Sequence, residues 1–351
     1  MPLSEYQRKK SIDTLLYEIG KDAYYHHFSV SDFAQTQGLS VQSVYRYLEK
    51  LEAESKVKKT KTGKKNVYSL VESFHHYAYP LANLSEDAVW NKAIKPLMQD
   101  FSEIASGSAY YAFSEMLNNA IDHSEGTKVD VFVRVNAFRI SFQILDDGIG
   151  IFAKIASALQ LEEKRFAILE LAKGKFTTDP ASHSGEGIFF SAKAADVFWI
   201  LSDNLAFTSQ SFLDDGNEWI RDFATLDRGT MVHIEIFRNH ATPLSEIFDQ
   251  YAQDPDQYGF TRTVVPVKLL EYGDTNPTFI SRSQAKRLLV RFERFERIEL
   301  DFSGIDEIGQ GFADEVFRVF QNQHPNSRIS AFNCSQRVKK MISRVTSQKT
   351  P

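Results

Sequence analysis

In the stretch SEMLNNAIDHS, residues 114–124, Glu115, Asn119 and Asp122 recur at i, i+4 and i+7, so on a helix they share one polar stripe. Phe113, Met116, Leu117, Ala120 and Ile121 hold the apolar stripe beside it. A polar row of that length on such a helix is either solvated or working. Three pieces downstream offer groups that could meet a ligand. DDGIG, residues 146–150, follows a strand-like run; Asp146 is an acceptor at the strand end, and Gly148 and Gly150 let backbone turn tightly beside a ligand. Surface turns use the same residues with no ligand involved. GKFTTDPASHSGEG, residues 174–187, feeds the helix-like IFFSAKAAD. A helix amino terminus gathers free N–H groups and about half a positive charge, which is a seat for phosphate. DRGTMVHIEIF, residues 227–237, enters an alternating strand and offers the Thr230 hydroxyl with backbone N–H groups.

These pieces need elements to hold them. The pattern predicts helix through AVWNKAIKPLMQDFSEIA, residues 88–105, into the polar-edged helix, and strands at VDVFVRV and RISFQIL. VESFHHYAYPLANLSED, residues 71–87, reads as a polar, Pro-containing connection, which leaves His75 and His76 in irregular chain.

The order is more specific than any one piece. Glu-x-x-x-Asn on a helix, Asp-x-Gly-x-Gly after a strand, a Gly-rich loop opening a helix, and Gly-Thr on a late strand resemble the GHKL ATPase superfamily, over about residues 90–238. That superfamily includes gyrase-type topoisomerases, heat-shock chaperones, mismatch-repair ATPases, histidine kinases and anti-sigma-factor kinases. The resemblance implies ATP and Mg2+ as cofactors. It makes Asn119 the magnesium ligand and Glu115 the residue that orients and deprotonates water. It makes Asp146 the acceptor for the adenine amino group, with Gly148 and Gly150 shaping that pocket, Gly185 and Gly187 wrapping the phosphates, and Thr230 supporting the adenine side. Asn118 either faces ligand or caps backbone. His123 is expected to pack after the helix and to belong, with Asp122, to the supports of the site, because the superfamily's phosphoacceptor histidine lies on a separate upstream hairpin that this sequence lacks.

The net charge of −5 divides unevenly: residues 1–70 carry +4 and the remainder −9, so a polyanion would be met at the amino end. There, apolar periodicity predicts a helix near residues 12–20, a short helix closed by Gly38, and a helix capped by Ser40 with Val41, Val44, Leu48 and Leu51 buried. Two β-prone pieces follow around KTGKKN, with six lysines between Lys56 and Lys65. This order is similar to a winged helix-turn-helix domain. The resemblance implies double-stranded DNA as partner, with Gln42, Ser43 and Arg46 at base edges and Lys58, Lys59, Lys61, Lys64 and Lys65 on phosphates. A lysine-rich hairpin can also be a solvated turn, or can bind an acidic protein.

Beyond about residue 259, strands alternate with helices, as in a small α/β layer domain. IELDFSGIDEIGQGFAD resembles the phosphorylation-site region of STAS domains, the fold of anti-anti-sigma factors, but its turn reads Gly309, Gln310, Gly311 and offers no hydroxyl. Glutamine accepts no phosphoryl group, and Ser303 is a remote substitute; the glycine-flanked Gln310 either binds through its amide or only turns the chain.

The fold class expected is therefore α+β and α/β multidomain: a winged helix-turn-helix at 1–70, a linker at 71–90, a GHKL α/β sandwich with a mixed sheet at 91–240, a linker at 241–258 and a STAS-like domain at 259–351. No run of eighteen apolar residues and no secretory leader is visible, so the protein is expected in the cytoplasm without a membrane partner. The single cysteine, Cys334, excludes an internal disulfide and is expected to be a small buried side chain. The reading is a nucleotide-responsive DNA-binding regulator that turns ATP slowly into ADP and phosphate. It includes a protein partner through the STAS-like domain and homodimer formation. The alternatives are an ATPase effector recruited by its DNA-binding end, or a partner-switching serine kinase.

Overall fold

Cap residues set the boundaries of the amino-terminal part. The structure, a computed structural model, describes residues 5–21, 28–63, 65–176, 185–209, 219–220, 226–254, 257–271 and 278–347. Helices α1 (Glu5–Lys21), α2 (Val30–Thr36) and α3 (Val41–Ala53) lead into strands β1 (Val57–Thr62) and β2 (Lys65–Leu70), an antiparallel hairpin in which Val57 faces Leu70. Ser40 caps α3, its hydroxyl accepting from the Ser43 N–H at 3.1 Å. Val44, Leu48 and Leu51, at i, i+4 and i+7, bury themselves with Leu15, Leu16, Ile19 and Phe33. Val41 does not join them: as the first residue of α3 it lies outside the packed turns and is 44% exposed.

The presumed connection after the hairpin is a strand. β3 (Ser73–Pro80) pairs antiparallel with β4 (Lys128–Val135), so His75 and His76 are strand residues. Its aromatic residues alternate in exposure, and Pro80 ends it at a sheet edge, where a missing N–H is tolerated. The helix expected over 88–105 is also interrupted. α4 (Glu86–Val89) loosens into a wider turn at Trp90–Ile94 and a tight turn at Lys95–Met98 around Pro96, which cannot donate to a helical ladder. Ser102 then caps α5 (Glu103–His123).

β5 (Arg139–Asp146), α6 (Ile151–Ala158), α7 (Phe166–Lys173), α8 (Gly187–Ala194), β6 (Val197–Asp203), β7 (Leu205–Ser209), β8 (Trp219–Ile220) and β9 (Leu226–Phe237) complete the central part. The seven strands run β3-β4-β5-β9-β6-β7-β8. Every described pair within this sheet is antiparallel, where a mixed sheet was expected. Val129, Val131 and Val133 alternate toward one face, whose core they share with Ala109, Phe113, Met116 and Leu117 of α5. The apolar stripe of α5 thus fixes the helix to the sheet and leaves its polar edge on another side.

α9 (Leu244–Tyr251), β10 (Ala252–Asp254) and β11 (Gln257–Phe260) occupy the second expected linker. Phe248 meets Phe190 edge-on at 4.7 Å, and Phe260 packs on Phe189 at 4.5 Å. The last part is a parallel sheet of β12 (Arg262–Pro266), β13 (Arg297–Asp301) and β14 (Arg328–Phe332) with α10 (Arg282–Leu289), α11 (Gln310–Asp314), α12 (Phe320–Gln323) and α13 (Gln336–Thr346). Its buried side chains belong to one continuous core with the central part. Cys334 is half-buried rather than buried, with Sγ 3.5 Å from the Phe332 carbonyl.

Candidate functional site

The polar edge of α5, the β5–α6 turn, the start of β9 and the amino terminus of α8 converge on one cavity of about 330 Å³. Glu115, Asn119, Asp146, Gly150, Gly185, Gly187 and Thr230 all line it. That volume is in the range of small-molecule sites, and Ile144, Ile151, Ile188, Ile200 and Val232 give it an apolar floor.

Asp146 is anchored by one oxygen. Its Oδ1 accepts from the Gly148 N–H at 2.9 Å and the Thr230 N–H at 3.2 Å, which leaves Oδ2 for the cavity. Burial pushes its pKa up, against the opposing effect of those two backbone N–H groups. The neighbouring Asp147 lives differently. Its carboxylate accepts from the Thr127 hydroxyl and N–H, each at 2.7 Å, and from the Lys128 N–H at 3.0 Å. Those bonds, the Thr127 hydroxyl first, hold its pKa down to about 2. A depressed acid stabilises the fold above its unfolded value of about 3.9 and loses that contribution as the pH falls toward 2. Of the two adjacent aspartates, one faces ligand space and the other pins the β4 entry.

Gly148 is not in the cavity wall; it stands behind Asp146, against the Ser124 carbonyl. Gly229, adjacent to Thr230, has φ of +86° and sits so close to the Asp146 carbonyl that no Cβ fits. Thr230 Oγ1 accepts from the Ile151 N–H at 3.0 Å, tying β9 to the first residue of α6. Gly187 opens α8 with no side-chain cap, and a Cβ there would collide with the Glu115 carboxylate. Glu115 therefore stands at a helix amino terminus with room for backbone and for nothing larger. Asn119, one turn along α5, is half-buried with Nδ2 3.9 Å from Met116 Sδ.

The cavity contains residues that the sequence did not assign to it. His123, expected among the supports, lines the wall, while Asp122 is exposed and outside it, and Asn118 is half-buried and outside it. α5 continues through His123, which follows Asn119 by four residues and Glu115 by eight and so extends their i, i+4 row along the helix. Lys154 of α6 also lines the cavity and donates to the His123 carbonyl at 2.7 Å. It stands three residues after Ile151 in an apolar helix, where a lysine signals nothing beyond a solvated edge. Phe176 closes another side. Residues 177–184 of the Gly-rich loop lie outside the described residues.

At the amino end, Gln42 and Arg46 are exposed on α3, and Ser43 is half-buried with its hydroxyl 2.8 Å from that of Ser40. Lys58, Lys59, Lys61 and Lys65 are exposed on the hairpin, and Lys64 lies outside the described residues. At the other end, the Gly309 N–H donates to the Phe279 carbonyl at 2.7 Å, so the turn before Gln310 is already covered by backbone. The Ser303 hydroxyl donates to Asp301 at 2.7 Å.

Residues 106–236 match the family of histidine kinase-, DNA gyrase B- and HSP90-like ATPases. The central domain is of the GHKL ATPase type. Residues 284–339 match a STAS-like domain of unknown function. No curated protein matches the chain. The GHKL match spans α5, the β5 turn, α8 and β9, the elements that build the cavity. No helix among the described residues is long and apolar enough to cross a membrane.

Proposed function

We propose that this GHKL domain binds ATP with magnesium in the described cavity, and that the protein is a nucleotide-responsive, DNA-binding regulator with slow hydrolysis. The observation that carries the reading is the convergence of Glu115, Asn119, Asp146, Gly187 and Thr230 on one cavity at the amino terminus of α8. Asp146 Oδ2 suits the adenine amino donor, the apolar floor suits the ring, and the α8 terminus suits phosphate. Among the described residues no group of three His, Cys, Asp or Glu could hold a metal ion. Magnesium would be held through the Asn119 carboxamide together with phosphate oxygens and water, which matches its preference for few protein ligands. It would supply neutralisation of phosphate charge. Glu115 would orient water and take its proton.

The DNA reading is supported by the +4 charge of residues 1–70 and the exposure of Gln42, Arg46 and the hairpin lysines. Nucleotide shifts DNA affinity only through a difference in binding to two arrangements of the chain. The test is ATP binding and turnover on the intact chain and on Glu115→Gln, with DNA affinity measured with and without a non-hydrolysable ATP analogue. Wild type should bind ATP, Glu115→Gln should bind it with turnover reduced about 100-fold or more, and the analogue should change DNA affinity. Equal DNA affinity in both states removes the regulator. Fast turnover stimulated by DNA favours a second reading, an ATPase effector recruited by its DNA-binding end; the placement of Glu115 at the cavity supports that one.

A further inference from the structure

Three successive carbonyls at the end of α7 are taken by the carboxy-terminal domain. Thr263 Oγ1 donates to the Lys173 carbonyl at 2.8 Å, and the Arg291 guanidinium donates to the Gly174 carbonyl at 3.0 Å and to that of Lys175. A helix end leaves its last carbonyls without internal partners, and here they are satisfied from the other domain. The same guanidinium lies over the Phe176 ring, 5.4 Å from its centroid, and Phe176 is part of the cavity wall. Arg291 also reaches back into α7. Its Nη1 donates to Glu170 at 3.0 Å, and Glu170 accepts from Lys173 Nζ at 2.5 Å, while Lys173 donates to the Val290 carbonyl at 2.9 Å. All three charged side chains are buried, Lys173 completely. Arg291 holds this position with a φ of +64°, a conformation that a non-glycine residue adopts only where its surroundings enforce it.

Desolvation of three charges offsets much of their mutual attraction, so the cluster is a weak source of net stability and a strong constraint on geometry. A planar fork that meets two carbonyls, a carboxylate and a ring face fixes backbone direction in a way that an apolar side chain cannot. We propose that Arg291 is a positioning residue of the nucleotide site: from the STAS-like domain it sets the course of the chain from Gly174 to Phe176, and thereby couples nucleotide affinity to that domain. The inference rests on the reading of the cavity as an ATP site.

Arg291→Met in the full chain keeps side-chain bulk and leaves Glu170 paired with Lys173, so no lone buried charge remains. Arg291→Lys keeps a cation opposite Glu170 but loses the fork. Arg282→Met, which removes a bond to Asp314 in the same domain, reports on general loosening. Nucleotide affinity is read by titration with ATP and magnesium, and folding by thermal unfolding without nucleotide. Arg291→Met is expected to weaken ATP binding about 10-fold. Arg291→Lys should recover thermal stability without recovering affinity, and Arg282→Met should bind as wild type does. In wild type, hydrogen exchange at residues 288–296 should slow when ATP is added. That last measurement needs no variant to fold. Wild-type affinity in both Arg291 variants, an equal loss in Arg282→Met, or unchanged exchange at 288–296 with ATP bound overturns the proposal. No binding by wild type overturns the ATP reading itself and this inference with it.

Discussion

Asp146 and Asp147 are adjacent in sequence and opposite in environment, and that contrast assigns their work. Asp147 is held ionised by three donors from Thr127 and Lys128 and does not line the cavity. Asp146 keeps one oxygen for the cavity at the expense of a raised pKa. A base-binding carboxylate must be ionised to accept from an amino group, so ATP affinity should fall on acidification through a pKa above the usual 3.9 or so of an aspartate. Isothermal titration at a series of pH values checks this, with the decline setting in earlier than an ordinary aspartate would give. Asp146→Asn, whose Oδ1 would stay with the Gly148 and Thr230 N–H groups, would turn a donor toward the adenine donor. About 2 kcal/mol or more, roughly 30-fold in affinity, should be lost, and the acid-dependent decline with it. Glu115 and Asn119 were legible in the sequence because helical spacing alone places them together. Lys154 and Phe176 were not, since one is a lysine in a short apolar helix and the other a loop aromatic under the guanidinium of Arg291, a residue of the carboxy-terminal domain.

Elements with strong periodicity or a cap residue were legible: α3 behind Ser40, α5 behind its apolar stripe, and the alternating β4 and β5. β3 was not, because its burial is only partial and its Phe, His and Tyr residues carry no clean apolar alternation; pairing with β4 decides it. The helix before α5 failed at Pro96 for a covalent reason. The β1–β2 hairpin illustrates what position adds to composition. Apart from Val57, every residue of β1 is exposed, so Lys58, Lys59 and Lys61 stand in solvent on both sides of the strand. Lysines that meet phosphate release counterions, and each one shifts the slope of log K against log salt by about 0.9 on duplex DNA. Lys61→Ala should therefore weaken binding to all duplexes alike and lower that slope by about this amount. Arg46→Ala, on the exposed face of α3, should instead weaken binding in a sequence-dependent way. Fluorescence anisotropy over a salt series separates the two; an unchanged slope in Lys61→Ala takes the hairpin out of the interface.

At the scale of the whole molecule the boundary drawn from sequence between the central and carboxy-terminal parts is not a boundary in the core. Phe189, Phe190, Phe248 and Phe260 pack across it, and one buried apolar cluster includes residues from Leu81 to Val345 of both parts. The amino-terminal core of Leu15, Val44, Leu48 and their neighbours is a separate, smaller cluster, joined to the sheet through contacts such as Tyr17 on Phe138 at 5.4 Å. Residues that share a close-packed core lose their contacts together, whereas a core with few bridging contacts can open by itself. Calorimetry should therefore show the central and carboxy-terminal parts unfolding in one transition, including the STAS-like segment that a sequence-based division makes independent. ATP with magnesium at about 100 times its Kd should stabilise that joint transition by about 2.7 kcal/mol through mass action. Because both the α7 end and α8 join the nucleotide cavity to the carboxy-terminal part, the shift should be shared by both parts rather than confined to one. Separate melting of the STAS-like segment, unmoved by nucleotide, would contradict the shared core and leave Arg291 nothing to transmit.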